Sequence, residues 1–121
     1  MSAAARSIFV FAFYLWVLGA ILVLVPNALL SVFGIPETDE VWVRVVGMLV
    51  LILGYYYLGA AREEQTTLMG RSVVARLSVL GFFLAFVILK LAPTVLIVFG
   101  VIDALAATWT AIALRADSAR G

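Results

Sequence analysis

Histidine and cysteine are both absent from this chain of 121 residues. Without them there is no haem ligation by His, no structural zinc of the usual kind, no disulfide, no thiol redox chemistry and no Ser-His-Asp triad. Charge is scarce as well. Charged residues make up 12% of the chain, where a soluble domain carries about a quarter. The 8 basic and 7 acidic residues nearly cancel, and a net charge of +1 gives no electrostatic footprint for nucleic acid. What fills the chain is apolar: 66% of the residues. That excess excludes an ordinary water-soluble fold and makes the lipid bilayer the expected surroundings.

An apolar stretch of about 20 residues crosses the hydrocarbon core as a helix. Four such stretches are present, at about residues 7–25, 41–61, 72–91 and 94–114. Arg6 ahead of the first resembles the basic region of a signal peptide, but the run is too long for one and no small-residue cleavage site follows, so an uncleaved span is expected. The runs are continuously apolar rather than alternating, which argues against a barrel. The expected fold is an all-α integral membrane protein, a single antiparallel bundle of four transmembrane helices.

The span ends carry matching punctuation. Pro26 closes the first span, and residues 28–33 read as a short interfacial helix, with Asn27 as its cap and Gly34 taking the left-handed closing conformation. Asp39 and Glu40 stand where the positive end of the second span's dipole favours acids. Only Ala92 and Pro93 separate the third span from the fourth, so those two form a hairpin. Arg6, Arg62, Arg71, Arg76, Arg115 and Arg120 fall on the side of both termini, against Arg44 and Lys90 on the other. Six against two predicts cytoplasmic termini.

A charge inside a span costs about 2.5–3.5 kcal/mol on insertion scales. Asp103 is the clearest case, about 13 Å along the fourth span. Gly100, Asp103, Ala104, Ala107 and Ala111 share one side of that helix, a small-residue face suited to close packing. Arg44 enters the second span from the same side of the membrane, on a face with Gly47, Met48, Leu51, Tyr55 and Leu58. Its expected roles are to reach Asp103 or to hold the first loop through Glu37, Asp39 or Glu40. One of Tyr55, Tyr56 and Tyr57 is expected to face inward. Arg76 and Lys90, near the ends of the third span, are expected to snorkel to the headgroups. Thr108 and Thr110 are expected to bond back to their own helix, and Gly47, Gly54 and Gly59 to mark close packing.

The segment Pro26-Asn27-Ala28-Leu29-Leu30-Ser31-Val32-Phe33-Gly34, the opening Trp42-Val43-Arg44-Val45-Val46-Gly47, then Gly54-Tyr55-Tyr56-Tyr57, Arg76 and Gly100-Val101-Ile102-Asp103 together resemble small four-helix bacterial membrane proteins, broadly the DoxX-like group. The resemblance implies an architecture and a bacterial inner-membrane location rather than a chemistry. Small multidrug exporters differ, because their first helix carries a Glu and this one has no acid.

Three functions follow from these residues. The first is a module that binds or passes a lipid-like or apolar small molecule in an intramembrane pocket around Asp103, Arg44 and Tyr55, without metal or cofactor. The second is a structural or accessory subunit, assembled with copies of itself or with a larger membrane complex. The third is an acid–base enzyme using Asp103 with Tyr55.

Overall fold

A computed structural model describes residues 1–120. The chain forms α1 (Ala3–Leu24), α2 (Pro26–Val32), α3 (Val41–Arg62), α4 (Thr66–Ile88) and α5 (Leu96–Arg120), with no strand among the described residues. Helices α1, α3, α4 and α5 are each long and apolar enough to cross a membrane. The boundaries differ from the sequence reading in two informative places. Helix α4 begins at Thr66 rather than near 72, because Met69 is fully buried and draws the polar Thr66-Thr67 stretch into the helix. Helix α5 runs to Arg120 rather than stopping near 114. Its last turns carry Asp117, whose carboxylate is used elsewhere in the fold.

Three helices end in the same way. The Ile35 amide donates to the Leu30 carbonyl (2.8 Å) and Gly34 to Ser31 (3.1 Å), with Gly34 left-handed at φ 69°. Gln65 donates to Ala60 (2.9 Å) and Glu64 to Ala61 (3.3 Å) at the end of α3, and Leu91 to Phe86 (2.8 Å) and Lys90 to Val87 (3.0 Å) at the end of α4. These are Schellman closures, which satisfy carbonyls that a helix end leaves open. Glycine takes the left-handed position without cost in the first; Glu64 (φ 54°) and Lys90 (φ 62°) take it in the others. Lys90 therefore lies in a turn after α4, exposed, instead of snorkelling from within a span. Asn27 is not a cap either. It lies inside α2, behind Pro26 at the first turn, and its Oδ1 accepts from the Thr38 amide at 2.9 Å.

The chain divides into two compact units. One comprises residues 9–59, with most of α1, all of α2 and most of α3. Here α1 and α3 run in opposite senses, since Gly19 meets Gly47 and Leu51 while Trp16 and Ala12 meet Gly54. A Cβ on Gly19 would lie 2.9 Å from the Gly47 carbonyl oxygen, and one on Gly47 would lie 2.9 Å from that of Gly19. The two backbones approach that closely only because both residues are glycine. The Trp16 indole fills the space over Gly54 and donates to the Leu51 carbonyl at 3.3 Å. Gly47 and Gly54 thus mark close packing as expected; Gly59 faces open space.

The other unit comprises residues 1–8 and 60–121. Helices α4 and α5 pack along each other, with Gly100 seated against Leu80 and Phe83 and Thr110 against Arg76. Partner numbers fall along α4 as they rise along α5, so the pair is antiparallel. The first residues of α1 join the C-terminal end of α5. Ser2 caps α1 through its Oγ, which accepts from the Ala5 amide at 3.0 Å. Asp117 Oδ2 accepts from Ala4 (3.0 Å) and Oδ1 from Ala3 (3.4 Å). Glu64 accepts from both the Ser2 amide and the Ser2 hydroxyl, at 2.7 Å each. The free amides of the first turn of α1 are thus satisfied by its own serine and by two acids remote in sequence. These hydrogen bonds, that from the Ser2 amide foremost, hold the Glu64 carboxyl below its ordinary range.

Candidate functional site

The most unusual polar group in the chain is Arg76, 2% exposed in the middle of α4. A buried charge is costly unless hydrogen bonds replace its water. Residue i−4 of a helix lies directly beneath residue i on the side toward which its side chain leans. Ser72 occupies that place. The Arg76 Nε donates to the Ser72 carbonyl (3.2 Å) and Nη2 to the Ser72 hydroxyl (3.1 Å). Nη2 also donates to Thr110 Oγ1 on α5 at 3.0 Å. Thr110 Oγ1 lies 2.7 Å from the Ser7 hydroxyl on α1, and Ser7 donates to the Ala4 carbonyl at 2.7 Å. Ser7, Ser72 and Thr110 are all buried.

The protons in this cluster have a direction. A guanidinium only donates, so Thr110 accepts from Arg76. If Ser7 spends its proton on Ala4, Thr110 must donate to Ser7, and the series runs Arg76 to Thr110 to Ser7 to the Ala4 carbonyl. Thr110 also lies 3.2 Å from the Ala106 carbonyl, the back-bond expected from sequence. That longer contact competes for the same proton. The cluster ties α1, α4 and α5 together within one unit.

Asp103 lies two helical turns before Thr110, on the same side of α5. It is half-buried, and the Arg76 charge acts on it. That charge lies on α4, in the same unit. Arg44 belongs to the other unit. It is exposed, and its Nη1 donates to the Val23 carbonyl, with Leu24 O at 3.5 Å. Those carbonyls end α1, where a cation is favoured by the helix dipole. Arg44 thus joins the start of α3 to the end of α1, and its hydrogen bonds go to helix carbonyls rather than to Glu37, Asp39 or Glu40. Tyr55 is exposed and packs its ring edge on Tyr56, with centroids 5.8 Å apart. Tyr57 is the inward tyrosine, buried against Phe11 at 5.7 Å. Arg44 and Tyr55 stand about 16 Å apart along α3, eleven residues at 1.5 Å each, so α3 does not bring them together.

Sequence reasoning named Arg76 but read it as snorkelling. The error lay in the helix boundary: a span starting at 72 puts Arg76 one turn from its end, whereas α4 starts at Thr66 and puts it about 15 Å in. Ser7 and Ser72 were missed. The visible signal was the spacing of Ser72 and Arg76, one turn apart, in an otherwise apolar run. Among the described residues no group of three or more acids could hold a metal ion. An open depression of about 580 Å³ lies over the α3–α4 connection, lined by Glu63 to Leu68 and Arg71, and includes none of the expected site residues. No family model, no curated protein and no solved structure matches this chain.

Proposed function

We propose that this chain is an integral membrane protein that binds or passes a lipid-like or apolar small molecule carrying one polar group, with Asp103 and Arg76 as the polar centre. Its four long helices form an antiparallel transmembrane bundle, α2 lies in the interface, and both termini are cytoplasmic, as the six-to-two Arg and Lys distribution favours. A bacterial inner-membrane setting and kinship with DoxX-like proteins belong to the same reading. The observation that carries it is the buried Arg76 guanidinium, whose charge acts on the half-buried Asp103 two turns from its Thr110 partner. Such groups are expensive to insert and mark function by default. Arg76 takes the place first assigned to Arg44, whose hydrogen bonds to the end of α1 give it a structural task. Native mass spectrometry of the protein in lipid nanodiscs tests this. Wild type is expected to retain a lipid or quinone that Asp103→Asn and Arg76→Gln release; equal retention by all three overturns the proposal.

A second reading, an accessory subunit without a ligand of its own, draws on the Ser7–Thr110–Arg76–Ser72 hydrogen bonds, which join α1, α4 and α5 as a structural tie would. In-cell crosslinking separates the two, since this reading requires a partner and the first does not.

A further inference from the structure

At the end of the 1–8 and 60–121 unit where α1 begins and α5 finishes, acids and bases have different fates. Glu64 and Asp117 are spent on the first amides of α1. Arg6, Arg71 and Arg115 are exposed, and among the described residues the one ion pair seen is Arg120 with Asp117, at 4.0 Å. The contacts set their levels. Arg76 leans one turn back to Ser72, so Thr110, which the same Nη2 meets, is level with residue 72, as Gly100 is with Leu80, and Arg115 stands about one turn beyond Arg71. Ser7 meeting Thr110 and Ala4 meeting Asp117 place Arg6 within the same stretch of α5. Three exposed guanidinium groups on three helices therefore stand within about one helical turn of one another along this unit.

Below two of them the helix surface is apolar and open. Arg71 is followed on its face by Val74 (70% exposed) and, two turns further, Phe82 (61%). Arg115 is preceded on its face by Ile112 (63%) and Leu105 (65%). A phosphate diester with two acyl chains matches that combination: charge-assisted bonds at the head and apolar contact along the tail. We infer that this end binds anionic phospholipid selectively, through Arg6, Arg71 and Arg115. The inference rests on the membrane reading above, and it names a site distinct from Asp103 and Arg76. Of the acids near this level, Glu63 and Glu64 share a depression with Arg71 and reduce its charge, while Glu64 and Asp117 are bonded to the first amides of α1.

The test uses the full chain in nanodiscs of phosphatidylcholine mixed with phosphatidylglycerol, with retained lipids counted by native mass spectrometry. Wild type is expected to retain phosphatidylglycerol over phosphatidylcholine. Each Arg→Gln change at 6, 71 or 115 is expected to reduce that preference about fivefold, and the triple variant roughly a hundredfold, as about one basic contact is lost each time. Arg→Lys at the same positions keeps the charge and is expected to keep most of the preference, and helicity by circular dichroism shows that each variant is folded. A wild type without preference, or a triple variant that keeps it, overturns the inference. Displacement of the lipid by inorganic phosphate alone also overturns it, since the site would then read phosphate rather than lipid. Resistance to carbonate extraction separates the two claims: a chain that stays in the membrane without lipid preference sinks only this inference, whereas a chain that washes out sinks the membrane reading.

Discussion

Replacing Thr110 by Val keeps the shape of the side chain and removes one hydroxyl. That hydroxyl accepts from Arg76 at 3.0 Å and lies 2.7 Å from Ser7. A hydrogen bond to a charged group contributes about 1.5–3 kcal/mol and a neutral one about 0.5–1.5 kcal/mol in water-soluble proteins. Between transmembrane helices the measured range is lower, averaging about 0.6 and reaching about 1.7 kcal/mol. Arg76 retains both bonds to Ser72, and Ser7 retains the Ala4 carbonyl, so neither group is stranded. The lower scale then governs, and Thr110→Val is expected to destabilise by about 1.5–2 kcal/mol. Arg76→Met in the same assay removes the charge together with its desolvation cost and is expected to be milder than its bond count suggests. The double variant should fall short of additivity by about 1 kcal/mol, the Arg76–Thr110 term itself. Reversible unfolding in mixed micelles, followed by circular dichroism, reads all four species. A Thr110→Val cost below about 0.5 kcal/mol with additive behaviour would refute the buried cluster, because a snorkelling Arg76 is indifferent to Thr110.

The glycines divide sharply. Gly19→Ala forces a Cβ within 2.9 Å of the Gly47 oxygen and is expected to cost about 1–3 kcal/mol in the same assay. Gly59→Ala meets open space and should gain about 0.5–1 kcal/mol from helix propensity; a loss there contradicts the packing described. Lys90→Gly relieves a left-handed lysine at φ 62° and is expected to stabilise by about 1 kcal/mol, whereas Lys90→Val should be worse than wild type. The Glu64 carboxyl, held below its ordinary 4.5 by the Ser2 bonds, stabilises the fold above that value and ceases to as pH falls through its lowered native value. The protection factor for amide exchange at Ser2 should fall in acid for wild type and be low at every pH for Glu64→Ala.

The four long helices were legible because continuous apolar runs leave a chain no other economical form. Gly34 was legible for its own chemistry, since a glycine after a short helix has one common use. Glu64 and Lys90 were not, because nothing in their chemistry favours a left-handed backbone. The start of α4 hid behind polar threonines, and burial of Met69 decides it. That single boundary concealed the site, since it made Arg76 look terminal. Asp103 stood out from sequence because a lone acid in an apolar run has no local excuse. The charge that acts on it did not, because the choice among Arg44, Arg76 and Lys90 depends on which helix lies beside α5, and hydrophobic patterning is silent on neighbours. Glu64 and Asp117 escaped as acceptors for the same reason: a partner supplied from a remote part of the chain has no sequence spacing to read.

That remote cap has a consequence for the order in which the protein is made. Asp117 lies 113 residues after the Ala4 amide it accepts from. At synthesis rates of about 5–20 residues per second, roughly 6 to 20 s pass between the two. Helix α1 therefore waits with an unfinished first turn until α5 has been made. Glu64 reaches it midway, as a partial holder. A nascent chain halted before Asp117 would carry a frayed first turn of α1, and completion of α5 secures it.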